Sequence, residues 1–278
     1  MKSLMYTCAT TGESVVLDGS DDHVFFGTVP KLRGYEWSYT LGSKSVTGLH
    51  TASREVTATG RVSGSLDSID HMHQLFEADL RNNTPGTLTS DNEWQAKAYV
   101  AKAEPGNIYP AYVLFTWTIV LVDSTWTRES TTRYVPRDDS EQLGLDYPHD
   151  YPFDYAGMPP NQSIVNDALT EMPCKLTVFG VASNPTIRIG DNTYQVNCEV
   201  PKGSRLVIDG AASPKTVKLI DVYGNETNEL PNALRGSGKG GGNYVFQPLP
   251  AGSTKVSWAG GFKFDLTVCE QRGEPKWN

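Results

Sequence analysis

The sequence predicts a mainly β protein: an N-terminal β-sandwich carrying one α-helix, followed by a C-terminal galectin-like or jelly-roll β-sandwich. Three observations lead there. Twenty-six glycines and 17 prolines are spread along 278 residues, which favours many short strands and turns over long helices. Period-two alternation of apolar and polar residues recurs along the chain, as half-buried strands require. One stretch only carries a convincing helical stripe. At 38% hydrophobic and 10% aromatic residues the chain has enough apolar surface for two cores.

The expected N-terminal domain covers residues 1–138. Val15-Val16-Leu17 reads as a strand, followed by an Asp18–Asp22 turn and the short strand Val24-Phe25-Phe26. From Arg54 to Ser63 the alternation is clean: Val56, Ala58, Gly60 and Val62 point one way, and Glu55, Thr57, Thr59 and Arg61 the other. The helix is expected over about 65–83. Ser65 or Asp67 can cap it, Leu66, Ile69, Met72, Leu75, Phe76 and Leu80 form its stripe, and Asn82-Asn83-Thr84-Pro85-Gly86 stops it. Two strands follow, Trp94–Ala103 and Tyr112–Val122, with a turn expected around Glu104-Pro105-Gly106-Asn107. The second is apolar on both faces over part of its length and reads as central.

Residues 139–165 form a linker whose centre is Asp146-Tyr147-Pro148-His149-Asp150-Tyr151-Pro152-Phe153-Asp154-Tyr155. Asp-Tyr recurs every four residues, yet Pro148 and Pro152 remove donors and push the preceding tyrosines toward extended geometry. The expected structure is a stiff strap. Tyr147, Tyr151 and Tyr155 offer flat amphipathic surfaces for docking between domains or subunits.

The expected C-terminal domain, 166–278, shows a series of short strands separated by turn residues. They are Cys174–Phe179, Thr186–Ile189, Thr193–Val200, Arg205–Asp209, Thr216–Asp221, Asn243–Gln247, Thr254–Trp258 and Phe262–Cys269. Gly236–Gly242 is expected to be a mobile loop between two of them.

Charge and targeting signals narrow the function. The net charge is −8, and no Lys/Arg cluster supplies the electrostatic footprint of specific nucleic-acid binding. The first eight residues lack the apolar run of a signal peptide. Tyr112–Val122 is broken by Thr116 and Thr118 and is too short to span a bilayer, so folding in the cytoplasm without a membrane is expected. Cys8, Cys174, Cys198 and Cys269 have no metal-type spacing and read as core thiols.

Chemistry-bearing patterns are weak. Lys239 is followed by Gly240 and then by a predicted strand, so the glycine-rich stretch is no phosphate loop. Asp70, His71, His73, Glu77 and Asp79 of the helix lack a zinc-protease order and read as solvated face residues. Asp146, His149, Asp150 and Asp154 lack the glycine-turned spacing of a calcium loop. No serine elbow is present, and no local pattern selects a facing pair of carboxylates for glycoside hydrolysis. No catalytic, cofactor or metal residue is therefore assigned. Trp258, Tyr194, Tyr223 and Tyr244 are the candidates for stacking on a sugar ring, but at strand positions aromatics read first as core or sheet packing.

The order of these pieces carries a resemblance. It runs through the strap, Asn166, Leu176-Thr177-Val178-Phe179-Gly180, Asn184-Pro185 and Val207-Ile208-Asp209. It continues in Phe246-Gln247-Pro248-Leu249-Pro250-Ala251-Gly252, Val256-Ser257-Trp258 and the closing Arg272-Gly273-Glu274-Pro275-Lys276-Trp277. Over essentially the whole chain this resembles the distal tail (Dit) protein family of bacteriophages with long non-contractile tails. The resemblance implies a virion structural protein at the distal end of the tail, assembled in the host cytoplasm. It implies a ring, usually six-fold, made through N-terminal domains. One face would join the tail tube protein, and the other the tail-associated or tail-fibre protein. DNA would pass through the open centre unread. In some members the outward galectin-like domain carries receptor-binding proteins; here the longest break between C-terminal strands is only Asn225–Gly242. Trp277 is expected to dock on the N-terminal domain or the linker. The competing reading is a carbohydrate-binding protein that recognises host cell-surface glycans through its C-terminal sandwich.

Overall fold

The computed structural model describes residues 3–18, 24–25, 30–63, 66–91, 93–136 and 162–276. The chain divides into two compact units, Met1–Arg128 with Gln271–Asn278, and Glu129–Glu270.

The first unit contains β1 (Leu4–Thr7), β2 (Ser14–Val16), β3 (Val24–Phe25), β4 (Ser38–Leu41), β5 (Val46–His50) and β6 (Arg54–Val62). Then come the helix α1 (Leu66–Arg81), β7 (Gly86–Ser90), β8 (Trp94–Ile108), β9 (Val113–Leu121) and the start of β10 (Trp126–Tyr134). Antiparallel pairing gives a ladder β2-β1-β7-β8-β9-β6-β3, with β9 in its interior between β6 and β8. The alternation expected of β6 is present, with Val56, Ala58, Gly60 and Val62 buried. Opposite Gly60, Ala58 and Val56 on β9, Phe115, Trp117 and Ile119 are buried in the same way. Residues from both ends of the ladder, Tyr6 at one and Val24 at the other, share one buried cluster with Met72, Leu75 and Phe76 of α1. The sheet must therefore curl around the helix. Tyr6 meets Phe76 edge to face at 5.0 Å, a geometry aromatic quadrupoles favour.

The helix departs from expectation on one face. Leu80 is 39% exposed, whereas Asp79 has no exposed surface. Asp79 Oδ2 accepts from the Tyr6 hydroxyl at 2.7 Å and the Ala9 amide at 3.0 Å. Its Oδ1 accepts from the Thr10 amide at 2.9 Å, the Thr10 hydroxyl at 2.8 Å and the Cys8 thiol at 3.2 Å. Burial alone would raise its pKa; the bonds from Tyr6, Thr10 and Ala9 outweigh that and hold it below the usual carboxylate range. His73 was likewise expected in solvent. Instead its ring packs edge-on against Phe115 at 5.2 Å, and burial lowers its pKa. Asp70, His71 and Glu77 are on the exposed face, as expected. The helix stops in a left-handed cap: Asn83 has φ +51°, and Thr84 N–H donates to Asp79 C=O at 3.0 Å.

The turn expected at Glu104–Asn107 lies inside β8. The strand runs on to Ile108 through register shifts at Val100/Lys102 and Pro105/Ile108. A bulge accommodates a proline because the missing donor falls where pairing is already interrupted. The chain turns at Tyr109–Tyr112 instead, closed by a 2.9 Å bond between their backbones.

The second unit contains β11 (Gln162–Asn166), β12 (Cys174–Phe179), β13 (Ala182–Ser183), β14 (Thr186–Ile189), β15 (Asn192–Gln195), β16 (Glu199–Val200), β17 (Arg205–Asp209), β18 (Thr216–Ile220), β19 (Glu226–Asn228), β20 (Gly252–Trp258) and most of β21 (Phe264–Arg272). One sheet runs β19-β18-β17-β12-β21, and the other β11-β20-β14-β15. Leu176, Val178, Leu206, Ile208 and Phe264 of the first share a core with Ile164, Ile187, Ile189, Tyr194 and Val256 of the second. This is the two-sheet sandwich expected from alternation. Tyr134, near the end of β10, stacks on Phe264 at 4.7 Å.

Two strand expectations fail here. Thr193–Val200 breaks into β15 and β16, because Val196 bridges to Ala233 and Cys198 N–H turns back to Val196 C=O at 3.1 Å. Asn243–Gln247 is a turn. The Asn192 side chain brackets the Tyr244 backbone with two 3.0 Å bonds, and Gln247 N–H closes on Tyr244 C=O at 3.0 Å. Val245 and Phe246 are both buried, which alternation forbids in a two-faced strand.

Replacing Asp79 by Asn should cost about 2–4 kcal/mol, because an amide cannot accept from all five donors. The contribution of the carboxylate is complete above about pH 4 and is lost as pH falls through its lowered pKa. Urea midpoints of wild type and D79N should therefore lie far apart at about pH 7 and converge on strong acidification.

Candidate interaction surfaces

Tyr147, Tyr151, Tyr155 and Trp277 lie outside the described residues, as do the strap groups Asp146, His149, Asp150 and Asp154. The segment leading to Trp277 is described, and it belongs to the first unit. The Arg272 guanidinium carbon sits 5.3 Å from the centre of the Trp94 ring, within cation–π range. Pro275 is buried. Gly273 is tight: a Cβ there would fall 2.7 Å from Tyr35 Cβ and 3.9 Å from Trp37 Nε1. The glycine lets the returning backbone lie against these two aromatics.

Of the sugar-stacking candidates, three are engaged in packing. Tyr194 is 2% exposed and its hydroxyl donates to Gln247 C=O at 2.6 Å. Trp258 Nε1 donates to Phe262 C=O at 2.9 Å, and its ring stands edge-on to Phe264 at 5.1 Å. Tyr244 is half-buried, with Lys215 Nζ 5.6 Å from its ring centre. Tyr223 alone of the four is open, at 87% exposure. It stands on a turn that Asp221 stiffens by accepting from Tyr223 N–H at 2.8 Å and Asn225 N–H at 2.9 Å. Bonds from Asn225 hold the Asp221 carboxyl below its usual range.

The glycine-rich stretch, expected to be mobile and followed by a strand, is a chain of turns. Gly238 N–H donates to Arg235 C=O and Gly241 N–H to Gly238 C=O, both at 3.0 Å, and Lys239 pairs with Glu171. Burial pushes the Cys174 and Cys269 thiols up to about 12 and Cys198 to about 11, so none is a poised nucleophile. No helix among the described residues is long and apolar enough to cross a membrane.

Among the described residues, the longest run of exposed apolar side chains lies where the sequence reading placed no strand. Tyr35 (65%), Trp37 (46%), Tyr39 (57%), Leu41 (70%), Val46 (51%) and Leu49 (60%) cluster on the β4–β5 hairpin and its approach. The signal was present as aromatic or aliphatic residues at every second position from 35 to 41, ahead of Gly42-Ser43. A second exposed feature is the β8–β9 arm tip, where Ile108 is 79% exposed and the rings of Tyr109 and Tyr112 stack at 4.7 Å.

These two units together have the fold of phage baseplate hub proteins. The Dit protein of phage SPP1, described as a paradigm of the hub adsorption apparatus in phages infecting Gram-positive bacteria, superposes with a TM-score of 0.56. That match has 12% identity and covers 97% of this chain and 98% of the other. A component of the phage P2 baseplate in its calcium-activated conformation gives a TM-score of 0.58 at 11% identity, covering 98% and 99% of the two chains. Its strontium-bound counterpart gives 0.57 with the same identity and coverage. No family model matches the sequence, and no curated protein does. At such identities the likeness is one of fold.

Replacing Gly273 by Ala should loosen the returning segment at a cost of about 1–3 kcal/mol. Faster amide exchange confined to residues 271–276 and to the Tyr35–Trp37 segment would report it.

Proposed function

We propose that this chain is a structural hub of a phage tail tip. It forms a ring, a hexamer in this reading, that joins the tail tube protein to the tail-associated or tail-fibre protein around an open channel for DNA. The observation that carries the reading is the likeness to Dit and baseplate structures along 97–98% of the chain, both units included. The acidic balance of the sequence supports a channel that does not retain DNA. A receptor-binding protein is a further partner of the outward unit, and the role requires no cofactor and no catalysis. Tyr147, Tyr151, Tyr155 and Trp277 are the residues proposed to dock between domains or subunits.

A second reading, glycan binding by the second unit, is favoured by one observation: Tyr223 is presented on a stiffened turn. A single open aromatic gives a sugar ring one wall.

Light scattering over a concentration series, with negative-stain images, separates the readings. The expected result is a species of about six chains with an open centre. A chain that stays monomeric and retains soluble cell-wall glycan, with retention lost on Tyr223→Ser, would replace the hub by the glycan reading. Replacing Tyr147, Tyr151 and Tyr155 together by Ser should reduce ring yield.

A further inference from the structure

One end of the second unit gathers four turns against one another. Gly180, just after β12, donates its N–H to Ser204 C=O at 3.0 Å, and a Cβ on it would collide with Pro201 C=O. A Cβ on Gly203 would fall 2.8 Å from Val222 Cγ1, so the β18–β19 turn lies over the β16–β17 turn. Phe179 N–H donates to Lys263 C=O at 3.0 Å, which brings in the turn before β21. Three apolar side chains stand open on these turns: Val181 (67%), Val222 (60%) and Tyr223 (87%). Exposed cations surround them. Lys202 sits in the β16–β17 turn, and Arg205 faces Phe179 across the β12–β17 pair. On the other side of β12, Lys263 Nζ lies 5.4 Å from the Phe179 ring centre and the Arg133 guanidinium carbon 5.8 Å.

The carboxylates at this end are already engaged. Asp265 accepts from Arg133 at 2.7 and 2.9 Å, and Glu226 from Lys218 at 2.6 Å. Asp221 is held by its own turn, and Glu199 accepts from the Ser183 hydroxyl. Lys202, Arg205 and Lys263 make no ion pair among the described residues. Three uncompensated cations therefore collect on one end of a unit whose chain carries 32 acidic against 24 basic residues. Such a collection favours a polyanion. Arg205 and Lys263 flank β12, about 10 Å apart at two strand spacings, too far for one small anion and suited to successive charges along a chain. The open apolar surface is roughly 400 Å², half of the about 800 Å² one protein gives to a standard interface. What it does offer is a single flat ring, Tyr223, held on a stiffened turn beside the charges.

We infer that this end of the second unit binds an anionic glycan, a cell-surface polymer in which sugars or polyols are joined by phosphodiesters. Tyr223 stacks on a sugar ring, while Lys202, Arg205 and Lys263 take successive phosphates. The inference rests on the glycan reading of Tyr223 and names its ligand class. It holds for a ring and for a single chain alike, because every residue it uses belongs to the second unit.

Binding of the full chain to four probes tests this: a soluble glycosylated poly(glycerol phosphate), a neutral polymer of the same sugar, anionic lipid vesicles and a single-stranded oligonucleotide. The phosphate polymer should bind at least about tenfold more tightly than the neutral one, and added salt should erase that advantage. The double variant Lys202→Gln/Arg205→Gln, melting as the wild type does, should lose about tenfold in affinity for the phosphate polymer and none for the neutral one. Tyr223→Ser should weaken both. If the two polymers bind equally and the double variant binds as the wild type does, the anionic assignment falls and the glycan reading stands. If neither polymer binds, both fall. Vesicles or oligonucleotide bound as tightly as the phosphate polymer would also overturn the assignment, since the surface would then select charge and not a glycan.

Discussion

The buried carboxylate of Asp79 is the constraint on which the first unit depends. An ionised group with no exposed surface is costly unless every lone pair finds a donor. Here the donors are a phenol, a thiol, a hydroxyl and two backbone amides, contributed by β1 and the residues that follow it. All five come from residues 6–10, so helix and first strand must be placed together. The same site explains Gly86, where a Cβ would fall 2.3 Å from the Tyr6 hydroxyl and 2.8 Å from the carboxylate. Helix, first strand and β7 are thereby locked around one point, and the curl of the ladder follows.

Much of this was legible from alternation and periodicity. β12, β14 and β17 fall on the expected boundaries, because each is a short strand bounded by turn residues. The inward set of β6 follows directly from period two. The helix stripe was legible too, but its last member was misassigned. Met72, Leu75, Phe76 and Asp79 continue one face at spacings of three, one and three, and Leu80 lies just off it. Hydropathy assigns a leucine to the core and an aspartate to water, and it cannot foresee five donors gathered from elsewhere in the chain. The same non-locality hid the turn at Asn243–Gln247, whose shape is dictated by the Asn192 side chain.

The interaction surfaces divide in a similar way. The strap was conspicuous because prolines and repeated Asp-Tyr pairs are local signals. The β4–β5 hairpin was equally local, with its alternating aromatics, but alternation is ordinarily taken to mean a buried face. Only the exposure of those residues distinguishes this hairpin from a strand of the core. The sugar-stacking aromatics show no such inversion. Tyr194 and Trp258, at strand positions, read in sequence first as packing and only second as binding residues, and packing is what they do in the fold.

The chain leaves the first unit after Arg128 and returns to it at Gln271. During synthesis, the residues that lie against Tyr35 and Trp37 are therefore made only after the whole second unit. A nascent or truncated chain that stops before residue 271 has every strand sequence of the first-unit ladder but lacks the residues that lie against Tyr35 and Trp37. The backbone that lies against that face is thus supplied only once the second unit has been translated.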